Sequence, residues 1–149
     1  MKKEIFLDLL KHFFCSIVIG IILSLMFKDW RLILASFLTG QLIDVDHFFD
    51  YFFGKKSKLS LRDFFDPEKY VIPSQKVFVF FHGWEFVLFF IFIGEKLNSQ
   101  CPGIVFALSL SYFVHLLIDQ LNSAGTPFSY FFTYRLLNKF SLIAYNGRK

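Results

Sequence analysis

The chain has 149 residues, 55% of them hydrophobic and 21% aromatic, with 24 Phe and a formal net charge of +4. A soluble domain of that length keeps too much surface in water to hide so many large apolar side chains, so the composition excludes an ordinary globular protein and points to lipid as the solvent. It also excludes a nucleic-acid binder, because Lys and Arg sit in the gaps between apolar runs and form no basic stripe.

The first predicted helix runs from about Ile5 to Phe27. Lys2-Lys3 gives it the basic start of a signal peptide, but Asp8, Lys11 and His12 interrupt the apolar stretch, so an uncleaved membrane helix is expected. Lys28-Asp29-Trp30-Arg31 reads as a tight polar turn into a second helix, Trp30 to Ile43, that extends through Phe53. A span needs about 20 apolar residues at ~1.5 Å each. The second helix is short of that before its charges begin, so its last turns are expected inside the bundle. Gly54 to Gln75 is the one sizeable loop, and it is basic through Lys55, Lys56, Lys58, Arg62 and Lys69.

A third helix is predicted from Val77 to Gly94 and a fourth from Ile104 to Leu121, separated by Asn98, Ser99, Pro102 and Gly103. Asn122 to Pro127 ends the fourth. The remainder, Phe128 to Lys149, mixes aromatics with Arg135 and Lys139 and reads as a segment lying in the membrane interface. Cys15 and Cys101 are too few for a disulfide framework and read as packing residues. Without repeats or low-complexity tracts, residues 1–149 form a single domain.

Of the 16 Lys and Arg residues, only Lys28, Arg31 and Lys96 fall on the side opposite the termini, with Lys11 set aside inside the first helix. Positive residues stay in the cytoplasm. The expected architecture is therefore an all-α, four-helix transmembrane bundle with a cytoplasmic loop and an interfacial C-terminal segment. It is placed in the cell's inner membrane, multi-pass, with both termini cytoplasmic.

Under this topology all four histidines, His12, His47, His82 and His115, fall toward the cytoplasmic ends of their helices. Each has a carboxylate three or four residues away, the spacing that shares a helix face: Asp8 with His12, Asp44 with His47, Glu85 with His82, Asp119 with His115. Any one pair alone reads equally well as hydrogen-bonded packing. Their agreement in depth does not, because a charged group in a bilayer costs about 2.5–3.5 kcal/mol even on lenient scales. A divalent cation offsets that cost, and imidazole with carboxylate suits zinc first, then manganese or iron. The expected metal ligands are His12, Asp44, His47, His82, Glu85, His115 and Asp119, with Asp46 a further ligand or the catalytic base. Asp8, Lys11 and Asp50 are read as structural, and Trp30 and Trp84 as interface anchors.

At these residues the chain resembles the YdjM-like family of LexA-regulated, membrane-bound metal-dependent hydrolases. That pattern has an early His, then Pro-Asp-x-Asp-His, then His-Arg-Gly-x-Thr-His, then His-x-x-x-Asp before a Gly-containing turn. Here stand His12, Asp44-Val45-Asp46-His47, His82-Gly83-Trp84-Glu85 and His115-Leu116-Leu117-Ile118-Asp119, with Ser111 to Phe128 the nearest match. Ile43 replaces the Pro. The third motif lacks the Arg and the second His, Glu85 standing in the latter's place. A more distant similarity, through His-x-x-x-Asp, runs to zinc-dependent phospholipase C. The resemblance implies hydrolysis, with phosphate esters as the substrate class.

The expected function is hydrolysis of a phosphoester or lipid head group by a water activated at one or two metal ions. Membrane lipids and a metal ion are the partners, and nucleic acid is not. The alternative is a non-enzymatic metal-binding or ion-conducting membrane protein, although the outer halves of the spans offer only groups such as Ser24, Ser36 and Ser109 for a conduction path. Haem ligation by a histidine pair is disfavoured by the carboxylate beside each histidine.

Overall fold

The computed structural model describes residues 3–54, 60–123 and 125–147. Lys2, Lys55, Lys56, Lys58 and Ala124, which belong to the predicted start, loop and turn, lie outside those residues, as do Arg148 and Lys149. The regular structure described is helical, with one isolated bridge between Lys76 and Ser141. Helices α1 (Lys3–Phe27) and α2 (Arg31–Leu42) form a hairpin, and a 3-10 turn (Ile43–Asp46) leads directly into α3 (His47–Gly54). Short helices α4 (Leu61–Phe64) and α5 (Val71–Ser74) flank a 3-10 turn at Pro67–Lys69. Then come α6 (Glu85–Leu97), α7 (Ile104–Asn122), a 3-10 turn at Pro127–Tyr130, α8 (Phe132–Leu137) and α9 (Leu142–Tyr145).

Among the described residues three stretches are long and apolar enough to cross a membrane: Leu7–Phe27, Arg31–Gly54 and Ile104–Asn122. The predicted third span is not among them. Helix α6 starts at Glu85 instead of Val77 and has 13 residues, roughly 20 Å against a hydrocarbon core of about 30 Å. The residues before it are not helical because their backbone is bonded sideways. The Phe78 amide donates to the Asp50 carboxylate, the Phe81 amide to Asp46 at 2.5 Å, and the Val77 amide to the Phe140 carbonyl at 2.8 Å. Irregular backbone among apolar elements persists only where protein groups satisfy it in this way.

Helix α1 packs on α2, and α7 packs on α1, α2 and α6. Glycine permits the closest approaches. A Cβ on Gly40 would lie 2.6 Å from the Ser16 Cβ, and one on Gly94 would lie 2.4 Å from the Val105 Cα. At one end of the bundle Arg31 grips Asp29 through Nε at 2.9 Å and Nη2 at 2.6 Å, and reaches the Gln100 carbonyl at 3.2 Å. That grip ties the α1–α2 turn to the α6–α7 connection. The hydrogen bonds from Arg31 also hold the Asp29 carboxyl down to about 2. Leu23, Leu32, Ile104 and Ala107 fill the core of the bundle.

Polarity runs inside-out. His12, Ser16, Ser36, Thr39, Asp46, Asp50, His82, Ser111 and His115 are buried, whereas Leu25 is 75% exposed and Leu121 76%. The tail differs from a segment lying wholly at an interface. Phe128, Leu136 and Leu137 are exposed, but Arg135 is buried and the Tyr130 carbonyl accepts the Trp84 amide at 2.9 Å. One face of the tail is therefore a wall of the protein's interior.

Candidate metal centre

Distant parts of the chain bring ionisable side chains together. His12 comes from the early turns of α1, Asp44 and Asp46 from the 3-10 turn, His47 from the start of α3, His82 from the irregular segment, and His115 and Asp119 from α7. The 3-10 turn matters because its tighter winding, about three residues per turn, re-aims side chains inside a helical run. Asp44 faces His82 and His115, while Asp46 turns to the Phe81 amide and the far nitrogen of His82.

Four atoms meet at the centre. His115 Nε2 lies 3.4 Å from Asp44 Oδ1 and 3.2 Å from Asp119 Oδ2, and His82 Nε2 lies 3.5 and 3.2 Å from the same two oxygens. The other nitrogen of each ring sets its tautomer. His115 Nδ1 lies 2.8 Å from the Gly40 carbonyl, which only accepts, so that nitrogen carries the proton. His82 Nδ1 lies 3.1 Å from Asp46 Oδ2, a buried carboxylate in the same accepting role. In the neutral rings both Nε2 lone pairs then point at carboxylate oxygens, which is repulsive unless a cation lies between them. His115 Nε2 and Asp119 Oδ2 are buried without a hydrogen-bond partner, and orphaned atoms of this kind call for an ion, a water or strain as explanation. Donors about 2.0–2.1 Å from a tetrahedral zinc stand roughly 3.3 Å apart, close to the spacings here. Asp44, His82, His115 and Asp119 could hold a metal ion.

Comparison with protein-family models, curated proteins and solved structures returns no match to this chain. The site has to be read from its own chemistry.

Two further groups adjoin the central one. Asp8, His12 and Asp119 form the first, with His12 Nε2 2.9 Å from Asp119 Oδ1 and 3.6 Å from Asp8 Oδ2. The His12 ring stacks on His115 at 4.0 Å between centroids. Asp46, His47 and His82 form the second. His47 is partly exposed, 3.8 Å from Asp44 and 3.9 Å from Asp50, at the edge of the cluster.

Glu85 is a correction. Its carboxylate accepts the Phe132 and Thr133 amides at 2.9 Å each and the Thr133 hydroxyl at 2.7 Å, so it caps α8 and belongs to none of the ligand groups among the described residues. The three-residue spacing from His82 carries no meaning because His82 precedes the helix. Asp8, read as structural, belongs to the cluster, and its four-residue spacing to His12 is the signal that singles out Asp119 beside His115. Asp50, read as structural, has a structural contact in its bond to the Phe78 amide.

Sequence reasoning passes over two supports. The Tyr112 hydroxyl accepts the Gly83 amide at 3.3 Å and donates toward the carbonyls of Phe81 and Gly83. Arg135 donates to the carbonyls of His82, Ser129 and Val79. Neither has a motif that would have revealed it. A cavity of about 250 Å³ opens beside the cluster, and Asp8, Asp44, Asp119, Phe64, Phe65 and Tyr70 are among the residues that line it.

Proposed function

We propose that this chain is a membrane-embedded, metal-dependent hydrolase that cleaves a phosphoester or lipid head group with water at the cytoplasmic face of the membrane. The observation that carries this reading is the convergence of two imidazole nitrogens and two carboxylate oxygens at tetrahedral spacing, beside a cavity. Asp44, His82, His115 and Asp119 would hold the ion, zinc first and manganese or iron next. His12 and Asp8, sharing Asp119, offer room for a second. When bound, the metal supplies Lewis acidity, which brings water toward neutrality in pKa and polarises the ester.

The remaining work falls to the chain's own groups. Asp46 holds His82 in one tautomer, as the Gly40 carbonyl does for His115. Asp46 is fully enclosed and is not among the cavity-lining residues, whereas Asp8 and His47 are. Proton acceptance therefore falls to His47, or to Asp8 when only the central ion is held, in place of the base expected from the sequence. Phe64, Phe65 and Tyr70 give the cavity an apolar share of its lining.

Three apolar spans, α6 entering part-way and the excess of basic residues around the termini support a four-helix transmembrane bundle with cytoplasmic ends. The motif order similar to YdjM-like hydrolases supports the same activity.

A second reading, metal binding without turnover, is favoured by one observation. Four protein donors already fill a tetrahedral ion, as in structural sites, whereas catalytic sites keep a position open. Detergent-purified protein separates the two. Stoichiometric zinc lost in His115→Ala and Asp119→Ala, together with chelator-sensitive cleavage of a phosphodiester or short-chain phospholipid, is the expected result. Zinc without cleavage of any ester tried leaves only the second reading, and unchanged metal content in both variants removes both.

A further inference from the structure

His82 differs from its neighbours in how it is held. His12, His115 and Asp119 ride on long helices and Asp44 on a helical turn, but His82 sits on backbone with no helical ladder. Its aim depends on what grips the segment from outside. The Phe81 amide is held by Asp46 and the Gly83 amide by Tyr112, while the Val79 carbonyl accepts the His82 amide at 3.2 Å and both it and the His82 carbonyl face a further donor. Arg135 takes both. Its Nη1 donates to the His82 carbonyl at 2.7 Å and to the Ser129 carbonyl at 2.7 Å, and its Nη2 donates to the Val79 carbonyl at 2.8 Å.

The guanidinium is 3% exposed, and none of the ion pairs found among the described residues includes it. Burying a charge on carbonyls alone is costly, and an apolar side chain would fill the space more cheaply. The planar fork does what such a side chain does not: it fixes two carbonyls of one irregular segment at a set separation.

We propose that Arg135 is a positioning residue for His82, so that the C-terminal segment sets the aim of one metal ligand. This rests on the metal-centre reading above. Arg135 touches no substrate and no ion and acts through the backbone of residues 79–82. Glu85 supplies a comparison, because its carboxylate ties the same tail by accepting the Phe132 and Thr133 amides and the Thr133 hydroxyl.

The experiment uses the full chain in detergent, with zinc affinity measured by chelator competition and the visible spectrum of the cobalt-substituted protein as a second readout. Arg135→Gln is expected to weaken zinc binding by about 10-fold, the low end for groups that support metal ligands, and to alter the cobalt bands. Arg135→Lys, which keeps the charge but not the fork, should fall between that variant and wild type and serves if Arg135→Gln does not fold. Glu85→Gln should lower thermal stability while leaving affinity and spectrum as in wild type. Added ethylguanidinium should restore affinity to Arg135→Ala. A folded Arg135→Gln or Arg135→Lys with wild-type affinity and cobalt bands overturns the proposal. So does Glu85→Gln with an equal loss, since general tail integrity would then be the cause. If wild type itself takes no ion, the metal-centre reading fails and this inference falls with it. If wild type binds and only the Arg135 result is negative, the inference alone fails.

Discussion

Asp46 is fully enclosed, with one oxygen shared between the Phe81 amide and His82 Nδ1. Replacing it by Asn keeps the shape and removes the charge that favours the His82 tautomer. Asp46→Asn should therefore weaken zinc affinity by about 10- to 100-fold, read by chelator competition. Asp50→Ala, which leaves the Phe78 amide without its acceptor, should leave affinity near wild type and cost about 1–3 kcal/mol of stability, read by thermal unfolding in detergent. An Asp46→Asn protein with wild-type affinity would mean that the ring needs no help from that carboxylate. At this scale the sequence is informative where the residue lies on a helix. The four-residue spacing of His115 and Asp119 survives into the structure because α7 is regular throughout, with both side chains on one face. The same logic fails for His82 and Glu85, since side chains share a face only if the backbone between them is wound.

The stretch from Val77 to Trp84 shows why one element was illegible. Read locally it is an apolar run continuous with α6, and hydropathy cannot distinguish a helix from extended backbone that will be buried. What decides is a pair of distant carboxylates, Asp46 on the 3-10 turn and Asp50 on α3, that capture amides a helix would have used internally. The helix pairs are more predictable in kind than in closeness. Gly94 sits so near Val105 that Gly94→Val must part α6 from α7, at an expected cost of about 1–3 kcal/mol, with a lower unfolding temperature as the readout. Glu85→Ala, which leaves the Phe132 and Thr133 amides uncapped, should cost about 1 kcal/mol with metal content intact. Loss of metal in that variant would mean that the α8 cap, and not Arg135 alone, supports the centre.

Across the whole molecule, the Asp29–Arg31–Gln100 contacts gather two connections at one end, and the histidine cluster lies toward the other. If the basic residues set the orientation, a cysteine at Trp30, which is 70% exposed, should react with a membrane-impermeant maleimide from outside intact cells. A cysteine at Lys139 should react only after permeabilisation. Both are made in a background with Cys15 and Cys101 replaced, and the reverse pattern would invert the topology. The helical class and the membrane-length apolar stretches were legible in the excess of Phe and Leu, whereas the irregular lead into α6 and the inward face of the tail depend on long-range contacts that no local window contains. The involvement of Arg135 also has a consequence for biogenesis. A ribosome that has delivered α7 has already released every histidine and acid of the cluster, yet the clamp on residues 79–82 is still inside its exit tunnel. A nascent chain arrested soon after α7 should therefore capture metal only loosely until Arg135 has emerged.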